Sequence, residues 1–92
     1  MPVTRCILDG ATIQTMDDIY RALASQLPLP SYFGRNLDAL WDILSTDIEG
    51  PVELVWEDAA ASRIALGKNF DRIEELLKEL ERERDDFRVI FR

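Results

Sequence analysis

Five carboxylates fall at helical spacing on two segments of this sequence. Asp38 and Asp42 are four residues apart, and Glu75, Glu79 and Glu83 follow one another at the same interval. Residues four apart lie on the same side of a helix, so each set would present its charges in one direction. Carboxylates placed in this way could attract the cationic groups of a partner or hold a divalent cation weakly.

The two sets differ in how easily they are explained without a function. Asp38 would lie in the first turn of its helix, where the helix dipole favours a carboxylate. Asp42 would lie beyond that turn, and two like charges at this spacing cost about 0.2–0.5 kcal/mol when no cation is near. Lys78 and Arg82 lie among the glutamates of the second set, which is the pattern of an ordinary solvated helix face. Asp42 is therefore the acid that most needs a partner.

The composition argues against an enzyme. The 92 residues contain no histidine, which removes the usual general base near neutral pH and the commonest zinc ligand. No phosphate-binding loop, dinucleotide-binding glycine motif, Cys-x-x-Cys, His-Glu-x-x-His or EF-hand loop is present. A carboxylate-plus-lysine nuclease would need a lysine close to its acid pair, but beside Glu53 and Glu57 that position holds Val55. Asp38 and Asp42 could bind a divalent cation only weakly, because the sequence specifies no third oxygen donor for them. We therefore predict neither catalysis nor a metal or other cofactor.

The charge and the apolar pattern limit the choice of partner and compartment. With 11 basic and 18 acidic residues the net charge is −7, which would repel nucleic acid and attract a basic protein. Cys6 is the one cysteine, as expected in a reducing compartment, and Arg5 interrupts the apolar start of the chain. No run of eighteen apolar residues could span a membrane. We expect a cytoplasmic protein that is monomeric when free.

The chain reads as one domain over residues 1–92, because it contains no linker, internal repeat or low-complexity tract. A turn pair, Asp9-Gly10, follows the first β-rich stretch, and Thr15 with Asp18 forms a capping-box pattern. The predicted elements are a strand at 3–8, a helix at about 16–27, a helix capped by Asn36, a strand at 51–57, a short helix between a capping Asp58 and Gly67, a long helix at about 69–84 and a strand at 87–92.

No two of the predicted strands are joined by a tight turn, so each connection is a crossover and the strands should be parallel. The fold class is therefore α/β, with a three-stranded parallel sheet and about four helices packed on it. Right-handed crossovers would place the helices on one side and leave the other side partly open. The core faces of the two main helices would be formed by Leu37, Leu40, Trp41 and Leu44, and by Phe70, Ile73, Leu76, Leu77 and Leu80.

Aromatic residues cluster just before the second helix. Tyr32 and Phe33 precede Gly34, and Trp41 lies at the border of the leucine stripe. Packing explains Phe33 and Trp41 better than partner contact does, whereas both interpretations stay open for Tyr32, since an amphipathic ring in a loop often anchors an interface. Cys6, in a strand, is interpreted as a small buried hydrophobe.

The run LPLPSYFGRNLDALWDIL, residues 27–44, combines a proline, two aromatics, Gly34, Asn36 and the string Leu37–Asp42. This run resembles the barstar-like family of intracellular ribonuclease inhibitors, and a weaker similarity extends over nearly the whole chain. The resemblance implies three parallel strands with helices packed on them. It also implies a cytoplasmic protein that blocks a secreted ribonuclease by placing carboxylates where the phosphates of RNA would lie.

The resemblance also implies which positions meet the partner. They are Tyr32, Asn36, Asp38, Trp41, Asp42 and Glu79, with Phe33, Gly34, Asp47 and Glu83 at the periphery. Asp42 would be central. Asp47 stands where barstar, after which the family is named, has an interface tryptophan, and Phe33 replaces a second tyrosine, so the partner surface should differ from that of barnase.

Three functions are compatible with these residues. The first is a ribonuclease inhibitor in which an acidic helix and loop block a cationic active site. The alternative is an acidic interaction or regulatory domain of the same fold that binds another basic protein. A small carboxylate-based metal enzyme ranks third, because nothing in the sequence supplies a complete metal site.

Overall fold

A computed structural model describes residues 3–31 and 33–92 of the chain. In chain order the elements are β1 (Thr4–Asp9), α1 (Met16–Gln26), α2 (Leu37–Asp42), a π-helical turn (Ile43–Asp47, hereafter the π segment), β2 (Val52–Glu57), α3 (Ala59–Leu66), α4 (Lys68–Glu83) and β3 (Phe87–Phe91). Every predicted helix and strand is present, with bounds within a few residues of the prediction.

The sheet has the order β1-β2-β3, and both pairs of neighbouring strands are parallel. Cys6 lies opposite Leu54, which in turn lies opposite Val89. Helices occupy both connections, α1 and α2 in the first and α3 and α4 in the second. The prediction of an α/β fold with a three-stranded parallel sheet and four helices is confirmed.

Alternation along the strands separates a core side from an open side of the sheet. Cys6, Leu54 and Trp56 are fully buried and belong to one core with the apolar residues of the helices. Burial raises the pKa of the Cys6 thiol to about 11, which fits the interpretation of a buried hydrophobe. On the opposite side Ile7 is 44% exposed, and Arg5 donates from Nε to Glu53 Oε1 at 3.0 Å.

Trp56 is the centre of the core where the sheet meets α3 and α4. Its indole packs on Phe70 with ring centroids 5.2 Å apart, and its Nε1 donates to Ser62 Oγ at 2.9 Å. Ser62 in turn donates to the carbonyl of Gly10 at 3.3 Å. A Cβ at Gly10 would lie 2.1 Å from the Asp58 carbonyl oxygen, so only glycine permits this close approach.

Helix starts follow the sequence signals at two of the three predicted caps. Thr15 Oγ1 accepts from the backbone N–H of Asp18, whose carboxylate accepts from Thr15 N–H, which confirms the capping box. Asn36 Oδ1 accepts from the N–H of Ala39 at 2.7 Å. Asp58 does occupy the N-cap of α3, but its backbone is left-handed, with φ of 51°, and its side chain makes no capping hydrogen bond. The predicted role of that side chain was wrong.

Two details of the predicted helices were also wrong. The second helix was expected to continue through Leu44 as one α-helix, but it changes to π geometry at Ile43. Leu76 was expected in the core and is only half-buried. Within residues 3–31 and 33–92, no helix is long and apolar enough to cross a lipid bilayer.

Replacing Ser62 with alanine should destabilise the fold, because it leaves the buried Trp56 Nε1–H without its acceptor. We expect a loss of about 1–3 kcal/mol in the free energy of unfolding, measured by urea denaturation followed by circular dichroism. Ser25→Ala is the matched control, since Ser25 is exposed and bonds only the Ala22 carbonyl. Equal effects of the two substitutions would show that the Trp56 hydrogen bond contributes nothing.

Candidate protein-binding face

A groove of about 450 Å³ lies between α2 and α4. We call it the acidic groove; it is lined by Leu37, Asp38, Trp41, Arg72, Glu75, Leu76 and Glu79. Its apolar members are half-buried and pack against the core. The groove therefore combines an apolar surface with three carboxylates and one guanidinium.

The position of α2 follows from a local cap and from burial. Asn36 begins the helix, and Leu40 is fully buried on its inner side. Leu37 and Trp41, four residues apart, are half-buried and lie along the groove. Asp38 then lines the groove, and Asp42 is exposed one turn further along the helix.

The carboxylates of Asp38 and Asp42 are available to a partner. Both residues are exposed, and neither carboxylate forms a salt bridge or a hydrogen bond with another described side chain. The backbone carbonyl of Asp42 accepts hydrogen bonds from Thr46 Oγ1 at 2.5 Å and from Ser45 Oγ at 3.3 Å. The Asp42 carboxylate has no hydrogen-bond or salt-bridge partner among the described side chains, so it could bind a partner's cation without breaking an existing contact.

The α4 side of the groove is less uniformly available. Glu79 forms a salt bridge with Arg82, and this carboxylate raises the pKa of the Arg82 guanidinium. Glu75 lines the groove and pairs with no described cation, whereas Glu83 lies outside the groove as the last residue of α4. Arg82 therefore offsets part of the charge that Glu79 presents, whereas Glu75 is offset by no paired cation among the described residues.

Arg72 was missed by the sequence analysis. It lies in the groove, is exposed and forms no salt bridge with any other described residue. Arg72 precedes Leu76 by four residues and Glu79 by seven, and this helical spacing is the sequence signal that places the three side chains on the same side of α4. Without knowing that α2 lies against this side of α4, however, the same spacing fits any solvated helix face.

The loop before α2 is attached to α1 through two contacts. The ring of Phe33 meets Tyr20 edge-on, with centroids 5.7 Å apart, in agreement with the packing interpretation. Arg35, whose φ is 45°, donates from Nη1 to Asp17 Oδ1 at 2.7 Å. Hydrogen bonds from two arginines lower the pKa of the Asp17 carboxyl, and the bond from Arg21 has a larger effect than the bond from Arg35.

Among the residues that the structure describes, the remaining predicted positions do not line the groove. Tyr32 lies outside the described residues. Gly34 is exposed in the loop, and Asp47 is exposed at the end of the π segment, where it accepts a hydrogen bond from Thr46 Oγ1 at 3.1 Å. The structure thus brings Asp38, Trp41 and Glu79 together, with Asp42 on the adjoining turn. No group of three or more histidine, cysteine or acidic side chains in the described parts of the chain could hold a metal ion.

Two comparisons with known proteins identify the family of this chain. Residues 3–92 match the family described as Barstar (barnase inhibitor). A protein of Bacillus subtilis (strain 168), named "Putative ribonuclease inhibitor YrdF", is 34% identical to this chain over 87 residues. That alignment covers 94% of this chain and 96% of the relative. The chain belongs to the barstar family.

Proposed function

We propose that this protein inhibits a ribonuclease by placing the carboxylates of Asp38 and Asp42 among the cations of the nuclease active site. The observation that carries the proposal is that both carboxylates are exposed and pair with no other described side chain. Two uncompensated acids on one short helix repel each other, and a cationic partner would remove that repulsion. Membership of the barstar family and the printed name of the Bacillus relative support the same role.

The electrostatics of such a complex favour both recognition and speed. A ribonuclease must hold phosphates, so its active site is cationic and complementary to an acidic helix. The net charge of −7 would guide the two proteins together over distances longer than a contact. In this proposal the inhibitor competes with RNA for the same cations, and it acts in the cytoplasm before the nuclease is secreted.

The internal contacts suggest an order of importance among the acids. Asp38 and Asp42 pair with no cation among the described residues, whereas Arg82 already offsets part of the charge of Glu79. We therefore expect the two aspartates to contribute more than Glu79. Trp41, half-buried beside Asp38, would exclude water from the contact and strengthen the charge pairs. Asn36 would fix the start of the helix rather than bind directly.

The direct test is inhibition of nuclease activity secreted by the organism that makes this protein. Purified protein would be titrated into that activity, measured with a fluorogenic RNA, while immobilised protein captures the partner. We expect stoichiometric loss of the activity and capture of a basic ribonuclease. Capture of a basic protein without nuclease activity would instead identify the alternative function, an acidic interaction domain, and contradict the inhibitor.

Replacing Asp42 with alanine should weaken binding of the nuclease by about 2–5 kcal/mol, because it would leave a cation of the nuclease buried without its partner. This range is the general one for truncating one side of a buried interfacial charge pair, and measurements on the barnase–barstar complex contributed to it. Isothermal titration calorimetry measures the change. Asp85→Ala is the matched control, because Asp85 is also exposed but lies between α4 and β3 rather than on α2. Equal affinities of the two variants would remove Asp42 from the centre of the interface.

Salt should slow association much more than it speeds dissociation. The long-range field that guides the two proteins is screened over about 8 Å at physiological ionic strength, whereas charges buried in the complex are screened less. Stopped-flow fluorescence at increasing sodium chloride concentration measures both rates. An association rate that does not change with salt would contradict electrostatic steering.

A further inference from the structure

Arg84, the residue after α4, contacts the π segment, which directly follows Asp42. Its Nη1 donates to the Leu44 carbonyl at 2.6 Å, and only 13% of its side chain is exposed. Leu44 belongs to the π segment, two residues beyond Asp42. This contact joins the junction of α4 and β3 to the far end of the helix that presents the proposed inhibitory acids.

The guanidinium of Arg84 is itself held in a fixed orientation. Asp86 accepts from it through both carboxylate oxygens, with Nε–Oδ1 of 2.8 Å and Nη2–Oδ2 of 3.0 Å. Bidentate pairs of this kind fix geometry as well as adding energy. The remaining Nη1 is thereby directed to Leu44, whose carbonyl lies in the last turn of the helical segment, where carbonyls lack partners within the helix. A cation is also favourable at that end of the helix dipole.

Helix α2 depends on such anchors because it is short. Its six residues, even with the five of the π segment, fall below the length at which an isolated helix is stable in water. Asn36 fixes one end by capping, and Leu40 and Leu44 are fully buried along the inner side. Among the described residues, the hydrogen bond from Arg84 is a polar contact from outside the helical segment that holds the opposite end.

We propose that Arg84, oriented by Asp86, is a positioning residue that holds the end of the acidic helix and keeps Asp42 aimed at the partner. This inference rests on the proposed function, since it concerns how well the inhibitory carboxylate is preorganised. Without the anchor, the end of the helix gains freedom that must be lost again on binding, and affinity falls for that reason. The contribution of Arg84 to binding therefore depends on the presence of the Asp42 carboxylate.

The test compares Arg84→Met with Arg88→Met, which removes the same charge from an exposed residue of β3. The dissociation rate of the nuclease complex is measured for both variants, each also in an Asp42→Ala background. We expect Arg84→Met to speed dissociation about tenfold, the scale of losing one hydrogen bond from a charged group, and Arg88→Met to leave it within about twofold. In the Asp42→Ala background the effect of Arg84→Met should shrink to about twofold or less.

A merely structural role would give a different pattern. Arg84→Met would then speed dissociation equally with and without Asp42, and that result, like no effect in either background, overturns the proposal. Asp86→Asn serves as a milder second variant, since it loosens the guanidinium but leaves it present, and it should speed dissociation in the same Asp42-dependent way. Urea denaturation confirms that each variant is folded under the conditions of the rate measurement.

Amide hydrogen exchange of the free protein separates this inference from the proposed function. We expect Arg84→Met, and not Arg88→Met, to accelerate exchange at the amides of Ile43–Ile48 while the central strand stays protected. Unchanged exchange there means that Arg84 does not hold the helix, and it overturns the inference even where the nuclease binds. If the wild-type protein inhibits no ribonuclease, the proposed function fails, while the exchange measurement still decides whether the anchor exists.

Discussion

Negative charge without an internal counterion is the constraint on which this account depends. The carboxylates of Asp38 and Asp42 face solvent on a six-residue helix, and no cation of the described chain is paired with them. Several arginines of the molecule are engaged by other acids, as Arg5 is by Glu53 and Arg84 by Asp86. These arginines pair with acids elsewhere on the surface and not with those of α2. The carboxylates of α2 therefore remain available to a cationic partner, which in our proposal is a nuclease active site.

A short helix can hold charges in place only if the remainder of the fold holds the helix. Trp56 of the parallel sheet and its hydrogen-bonded partner Ser62 of α3 are both completely buried in the core that supports the helices. Leu40 and Leu44 attach α2 and the π segment to that core, and the Asn36 side chain accepts a hydrogen bond from the Ala39 N–H at the start of α2. Rigidity of this kind matters for binding, because a preorganised carboxylate loses little freedom when it meets its cation.

The elements and their order could be predicted from sequence because their signals are local. Thr15 with Asp18 and the capping Asn36 are read within a few residues, and the absence of tight turns between strands is enough to indicate parallel pairing. What the sequence could not supply depends on contacts between distant segments. The helix changes to π geometry at Ile43, and the Leu44 carbonyl in this π segment accepts a hydrogen bond from Arg84, which is forty residues away in the sequence. The partial exposure of Leu76 depends on how closely α2 approaches α4.

In our proposal the partner binds the face formed by α2 and the adjoining side of α4. Hydrogen–deuterium exchange of the protein, free and in complex with the captured nuclease, tests it most directly, because it maps the covered backbone without altering any residue. We expect new protection at the amides of α2 and the π segment, with unchanged exchange at the exposed ends of the strands. Protection confined to the strands or to α3, with α2 exchanging as it does in the free protein, would contradict it.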